Sequence, residues 1–111
     1  MATTYRVLGQ VNPSATTATT LYTTPTVPST STVVSTITVA NLAGSAATFR
    51  ISVRPAAASQ TNAMYIAYDV TVGANDTTTL TLGLTLATTD VITVYASTAT
   101  LSFNAYGSEI A

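Results

Sequence analysis

Apart from plain hydroxyls, this chain offers chemistry four carboxylates, three guanidinium groups and six tyrosines. Histidine, cysteine, tryptophan and lysine are absent from its 111 residues. That removes the commonest general base, the thiolate nucleophile and the Schiff-base amine. A serine or threonine here has no imidazole or amine to activate it. Zinc loses its two main ligand types. The carboxylates are Asp69, Asp76, Asp90 and Glu109. Asp76 and Asp90 fall in turn-forming stretches, where an aspartate bonds nearby backbone. Calcium would need six to eight oxygens, which two separated turns do not supply. The four are not placed like the paired acids of a glycosidase. No catalytic, cofactor or metal residue is expected.

Two further motifs carry little. Asn75-Asp76-Thr77 matches a glycosylation acceptor, but it reads as a turn, because no secretory leader is visible around Met1-Ala2-Thr3-Thr4-Tyr5-Arg6. Gly9, Gly44, Gly73, Gly83 and Gly107 stand alone and form no phosphate loop. The tyrosines and arginines are more informative. Tyr65 and Tyr95 are expected on outward strand faces, with Arg54 near Tyr65. Arg50 is expected diagonal to Asp69 across a hairpin that pairs Ile51 with Ile66. Tyrosine and arginine dominate interface hot spots, so Tyr65, Tyr95, Arg50 and Arg54 are the candidate interface residues. Exposed aromatic rings could also stack on sugars.

The elements that position these residues read as strands. Apolar residues alternate with period two, and no long helical stripe exists. Strands are expected over 4–11, 17–23, 32–40, 46–54, 63–72, 78–86, 91–96 and 100–106. The first should hold Tyr5, Val7 and Val11 on one face, and the third Val33, Ile37 and Val39. Ala47, Phe49, Ile51 and Val53 align in the fourth, and Met64, Ile66, Tyr68, Val70 and Val72 in the fifth. The sixth aligns Leu80, Leu82, Leu84 and Leu86. Pro25 and Pro28 mark a loop or edge. Gly44 suits a positive φ in a tight turn. At most one helical turn is expected at Ala56–Ala58.

Three hairpins follow from matching apolar faces: Val39 with Ala47, Val70 with Leu80, and Val94 with Leu101. The 55–62 stretch reads as a longer loop that could cross between sheets. Eight short strands about ten residues apart indicate one all-β domain over 1–111, an antiparallel β-sandwich of immunoglobulin-like or jelly-roll topology.

Charge narrows the partners. Charged residues make up 6% of the chain and the net charge is −1. Three scattered arginines cannot neutralise a run of phosphates, so no nucleic-acid partner is expected, and no polybasic membrane contact. Threonine fills roughly a quarter of the sequence, a large excess over ordinary usage. It favours strands and wets their outer face with hydroxyls. A body near zero charge tends to associate, which suits a protein that lives in an assembly.

The residues resemble a family: small virion structural proteins of tailed bacteriophages, especially cyanobacterial phages. The resemblance runs along nearly the whole chain. It is carried by Tyr5-Arg6-Val7-Leu8-Gly9-Gln10, Thr20-Leu21-Tyr22-Thr23 and the stretch from Ser31 to Asn41. It continues in Ala47-Thr48-Phe49-Arg50-Ile51, Val53-Arg54-Pro55, Tyr65-Ile66-Ala67-Tyr68-Asp69 and Asp90-Val91-Ile92, and ends in Ser102 to Glu109. The family pattern has Val-Pro where Thr24-Pro25 stands, and a basic residue near Leu42. The resemblance implies a non-enzymatic virion component assembled in the bacterial host cytoplasm. A capsid decoration or cement protein is expected, contacting the major capsid protein and itself as a homo-oligomer, with a trimer the anticipated form. The alternatives are a neck, tail, baseplate or short-fibre component, and a glycan-binding host-attachment module.

Overall fold

Strand β3, Ser31–Asn41, alternates between buried and partly exposed residues along most of its length. It lies inside a sheet and carries a polar clasp at each end. The computed structural model describes residues 3–26 and 31–111. Pro28 and the opening Met1-Ala2, which figure in the sequence reading, lie outside the described residues.

The other strands are β1 (Thr3–Val11), β2 (Thr19–Thr23), β4 (Ala47–Arg54), β5 (Tyr65–Val72), β6 (Thr77–Ala87), β7 (Val91–Ala96) and β8 (Leu101–Ile110). They form two antiparallel four-stranded sheets, ordered β1-β8-β3-β6 and β2-β7-β4-β5. The pairing β1–β8, β2–β7, β3–β6 and β4–β5 is that of one long hairpin rolled over on itself. This is the jelly-roll arrangement, which decides between the two sandwich topologies.

The three hairpins drawn from sequence do not form. β3 and β4 lie in opposite sheets, as do β5 and β6, and β7 and β8. Their apolar faces do meet, but across the sandwich. Matching apolar residues fit equally well side by side or face to face, and the turn between them reverses the chain in both cases. The reverse correction applies to 55–62: it does not cross between sheets but joins the paired strands β4 and β5. Gly44 also departs from expectation, since no described glycine has a positive φ. The left-handed positions are taken by Thr16, Ala56, Ala57, Asp69, Asn75 and Thr89. Ala56 and Ala57 belong to a short 3-10 turn, Pro55–Ala57.

The core is the inner faces of both sheets. Phe49 and Phe103 meet edge to face, with ring centroids 6.0 Å apart. Ile37, Ile51, Ile92, Val94 and Leu101 are fully buried around them. Expected alternation holds in β4, β6 and β7 and breaks where a β-bulge adds a residue, because one extra residue swaps the faces. In β1 the irregularity lies between Val7 and Gly9. Tyr5 and Val7 therefore point outward, while Leu8 and Val11 pack on the core. In β3 the irregularity lies between Val34 and Thr36. Val34 takes the core place expected of Val33, which lies beside Tyr5 and Tyr106 outside. In β5 the same effect leaves Ile66 and Tyr68 exposed, while Val70 and Val72 keep their expected place on the core.

Two polar clusters close the ends. At one, Tyr22 of the second sheet donates its hydroxyl proton to Glu109 of the first at 2.5 Å. Thr32 donates to the Tyr22 oxygen at 2.9 Å, since that phenol has no second proton. Arg6 completes the cluster, 3.1 Å from Glu109. A buried carboxylate needs such partners. At the other end, buried Asn41 donates to the carbonyls of Ser45, Val72 and Gly73 and accepts from Ala43 N–H and the Thr100 hydroxyl. It ties three connections to one point.

Three outcomes follow. Asn41→Ala orphans buried carbonyls and should lower unfolding free energy by about 2–3 kcal/mol, read from urea midpoints. Gly107→Ala would set a Cβ 2.0 Å from the Val33 carbonyl oxygen, and should cost about 3 kcal/mol or prevent folding. Burial, then the Glu109 hydrogen bond, push the Tyr22 phenol up to about 12 from 10.0. Its folded pKa exceeds the unfolded one, so its contribution is whole below pH 10 and is lost as pH rises through 12. Urea midpoints of the native protein should fall across that window, and Tyr22→Phe should flatten that fall.

Candidate functional site

The outer face of the β2-β7-β4-β5 sheet bears the aromatic and cationic cluster. β4 is a central strand, and its outward residues are Thr48, Arg50, Ser52 and Arg54. Its register with β7 sets Arg50 opposite Tyr95, Ser52 opposite Thr93 and Arg54 opposite Val91. On the other side, β5 delivers two residues to Arg50 at once. Asp69 has φ 51°, a left-handed value that aspartate tolerates better than most residues. The bulge there places two β5 residues, Tyr68 and Asp69, against one on β4.

Arg50 is thereby held on three sides. Its Nε donates to Asp69 Oδ1 at 2.6 Å and Nη2 to Oδ2 at 3.4 Å. Its guanidinium carbon lies 4.2 Å from the Tyr68 ring centroid and 4.4 Å from that of Tyr95. Tyr65 meets Tyr68 edge to face at 4.9 Å. The Asp69 hydrogen bond holds the Arg50 guanidinium above its usual pKa, so it is charged at any working pH.

A groove of about 260 Å³ runs beside this stack, with Tyr65 and Tyr95 among its walls. The 55–64 connection folds over the sheet to make its far side. Ser52 donates to Gln60 Oε1 at 2.5 Å. Arg54 holds the carbonyls of Ala57 and Ala58 and the Thr93 hydroxyl. Arg54 thus shapes the groove by clamping its rim.

No family model matches this chain. No curated protein matches it either. The site is therefore read from its geometry.

The structure brings Tyr65, Tyr95, Arg50 and Arg54 around one groove. The Arg50–Asp69 pair forms, although Ile51 pairs with Ala67 and not with Ile66. The expected Arg54–Tyr65 contact is replaced by stacking of Arg50 on Tyr68 and Tyr95. Tyr68 is the residue that period-two reading missed, since it was assigned to the inner face with Val70. The only available signal was Asp69, a turn-type residue inside a strand pattern.

The other carboxylates are engaged elsewhere. Asp76 accepts from Thr77 N–H at 2.8 Å. Asp90 accepts from Ala56 N–H and Ala87 N–H, both at 2.9 Å. Among the described residues, no three metal-ligating side chains come together. The groove offers aromatic faces, hydroxyls, an amide and guanidinium groups, a set suited to stacking and hydrogen bonding.

Asp69→Ala tests whether the bulge residue organises the stack. It should release Arg50, and the Tyr68 and Tyr95 ring resonances should lose their shifts from the guanidinium while the Phe49 and Phe103 core signals stay in place.

Proposed function

We propose that this protein is a non-enzymatic virion structural protein of a tailed bacteriophage, a capsid decoration or cement protein bound to the outer shell. The observation that carries this reading is the Tyr68–Arg50–Tyr95 stack, partly exposed on a sheet face rich in hydroxyls. Side chains already fixed by an ion pair and a bulge lose little freedom when a partner covers them. Tyrosine and arginine are the residues that concentrate binding energy at interfaces. Jelly rolls recur in viral capsid and lectin domains, which accords with the reading without deciding it. The partners are the major capsid protein and further copies of this chain, and the location is the virion, assembled in the host cytoplasm.

Electron microscopy of the particle tests the proposal. Shell-wide density should follow the capsid lattice. A handful of copies at the neck, tail, baseplate or fibre would move the protein there instead. Particles lacking it should lose resistance to heat, and unchanged resistance would count against the cement role. Arg50→Ala should weaken binding to the shell by roughly tenfold or more with the fold intact, measured by co-sedimentation with stripped particles.

One observation favours a second reading as a glycan-binding host-attachment module. Tyr65 and Tyr95 flank a concave polar groove, as a sugar site would require. A glycan array probed with the protein should give a hit that Tyr95→Ala abolishes. An array without hits removes this reading.

A further inference from the structure

Strand β6 ends its sheet, so one of its edges carries no strand partner among the described residues. Such an edge is a template for pairing with another chain. Proteins commonly protect it with charge or proline. β6 has neither in its eleven residues, TTTLTLGLTLA.

Seven residues of this strand form a palindrome. Leu80-Thr81-Leu82-Gly83-Leu84-Thr85-Leu86 reads the same in both directions about Gly83. Two copies of an antiparallel strand related by a two-fold axis pair residue i with its mirror position. With the axis at Gly83, Leu82 opposes Leu84 of the second copy, Thr81 opposes Thr85 and Leu80 opposes Leu86. Every leucine stays on the inner face and every threonine on the outer one. A one-residue slip would set leucine against threonine.

Gly83 supplies a separate observation. Steric fit within the single chain does not require a glycine there. Its φ is not positive, and an added Cβ would meet no atom within 4 Å. It is exposed in the middle of a strand, where glycine weakens the strand. On a two-fold axis Gly83 faces its own copy, so the weakest position of the strand opposes no unlike residue. The irregularity of β6 against β3 falls between Thr81 and Leu84, so it too sits on the axis.

The inner face gives a reason to associate. Leu80, Leu82 and Leu84 pack on the core but stay partly exposed, and Ile66 is 42% exposed nearby. An open apolar groove of about 560 Å³, lined by Met64, Ile66, Gly83 and Leu84 among others, runs along this side. A partner's leucine row laid alongside would cover it. With net charge −1 and no charge in the strand, two copies barely repel.

We infer that β6 pairs with β6 of a second copy about a two-fold axis at Gly83, joining two four-stranded sheets into one of eight. This concerns the contact between copies and does not depend on where the assembly resides. It differs from a trimer, whose three-fold axis would not use a self-paired strand.

The test is solution mass of the full chain by sedimentation velocity over a concentration series. The native protein should reach twice the monomer mass. Thr81→Lys with Thr85→Lys sets lysine against lysine across the axis twice. Its dimer should dissociate at concentrations roughly tenfold higher or more. Thr81→Lys with Thr85→Glu instead sets lysine against glutamate in this register and should restore the dimer. Both pairs of substitutions are on the exposed face, and circular dichroism should show both variants folded. The chain has no cysteine, so Gly83→Cys should cross-link only between copies and yield a covalent dimer on oxidation. A native protein that stays monomeric, a trimer, or a dimer indifferent to the two lysines would each overturn the inference. So would a Lys/Glu variant that dissociates like the Lys/Lys one.

Discussion

Everything in this molecule depends on two sheets burying one face each against the other. Neither sheet is stable alone, because its inner face is a continuous row of valine, isoleucine, leucine and phenylalanine. Phe49 and Phe103 fill the centre of that contact from opposite sheets. The contact is non-directional, so it does not fix how the sheets are aligned. Direction comes from the two polar clusters. Tyr22 and Glu109 join the sheets at one end, and Asn41 gathers three connections at the other. Each cluster is costly to bury unless its groups are satisfied, so each discriminates against a shifted packing.

The bulges distribute the remaining side chains. They occur in β1, β2, β3, β5 and β6, and those in β1, β3 and β5 change which residues face out. Two consequences matter for function. In β5 the extra residue turns Tyr68 and Asp69 toward Arg50, which converts an ordinary strand face into a stacked cluster. In β1 and β3 it puts Tyr5, Val7 and Val33 outside, beside Tyr106. The protein thus shows aromatic surface on both broad faces, while threonine covers most of the rest. A surface with so little charge interacts through shape, stacking and strand edges, with little electrostatic steering.

Local signals made part of the site legible. Arg50 and Asp69 have opposite charge on neighbouring strands, and their pairing survives an error of one residue in register because the Arg50 side chain is long and the bulge sets Asp69 against it. Tyr95 could be placed because β7 keeps an unbroken register with β4, and Tyr65 because it begins β5, ahead of that strand's first irregularity. Tyr68 could not, since a bulge is a backbone event between two strands and leaves no periodic mark on either one. Arg54 was placed in the right region for a different reason than the one observed: it holds the 55–58 rim and makes no ring contact of the kind Arg50 makes.

By itself, the sequence determined that the fold is all-β, where most strands begin and end, and that its exterior is hydroxyl rather than charged. Those properties follow from period-two alternation, turn residues and composition, which are local. Only the tertiary structure decided which strands are neighbours. Apolar faces match as well across the sandwich as along a hairpin, so β3–β4, β5–β6 and β7–β8 could not be told apart from side-by-side pairs. The choice of a jelly roll rests on backbone hydrogen bonds between β1 and β8, over a hundred residues apart at their extremes, and no local pattern records such a pairing.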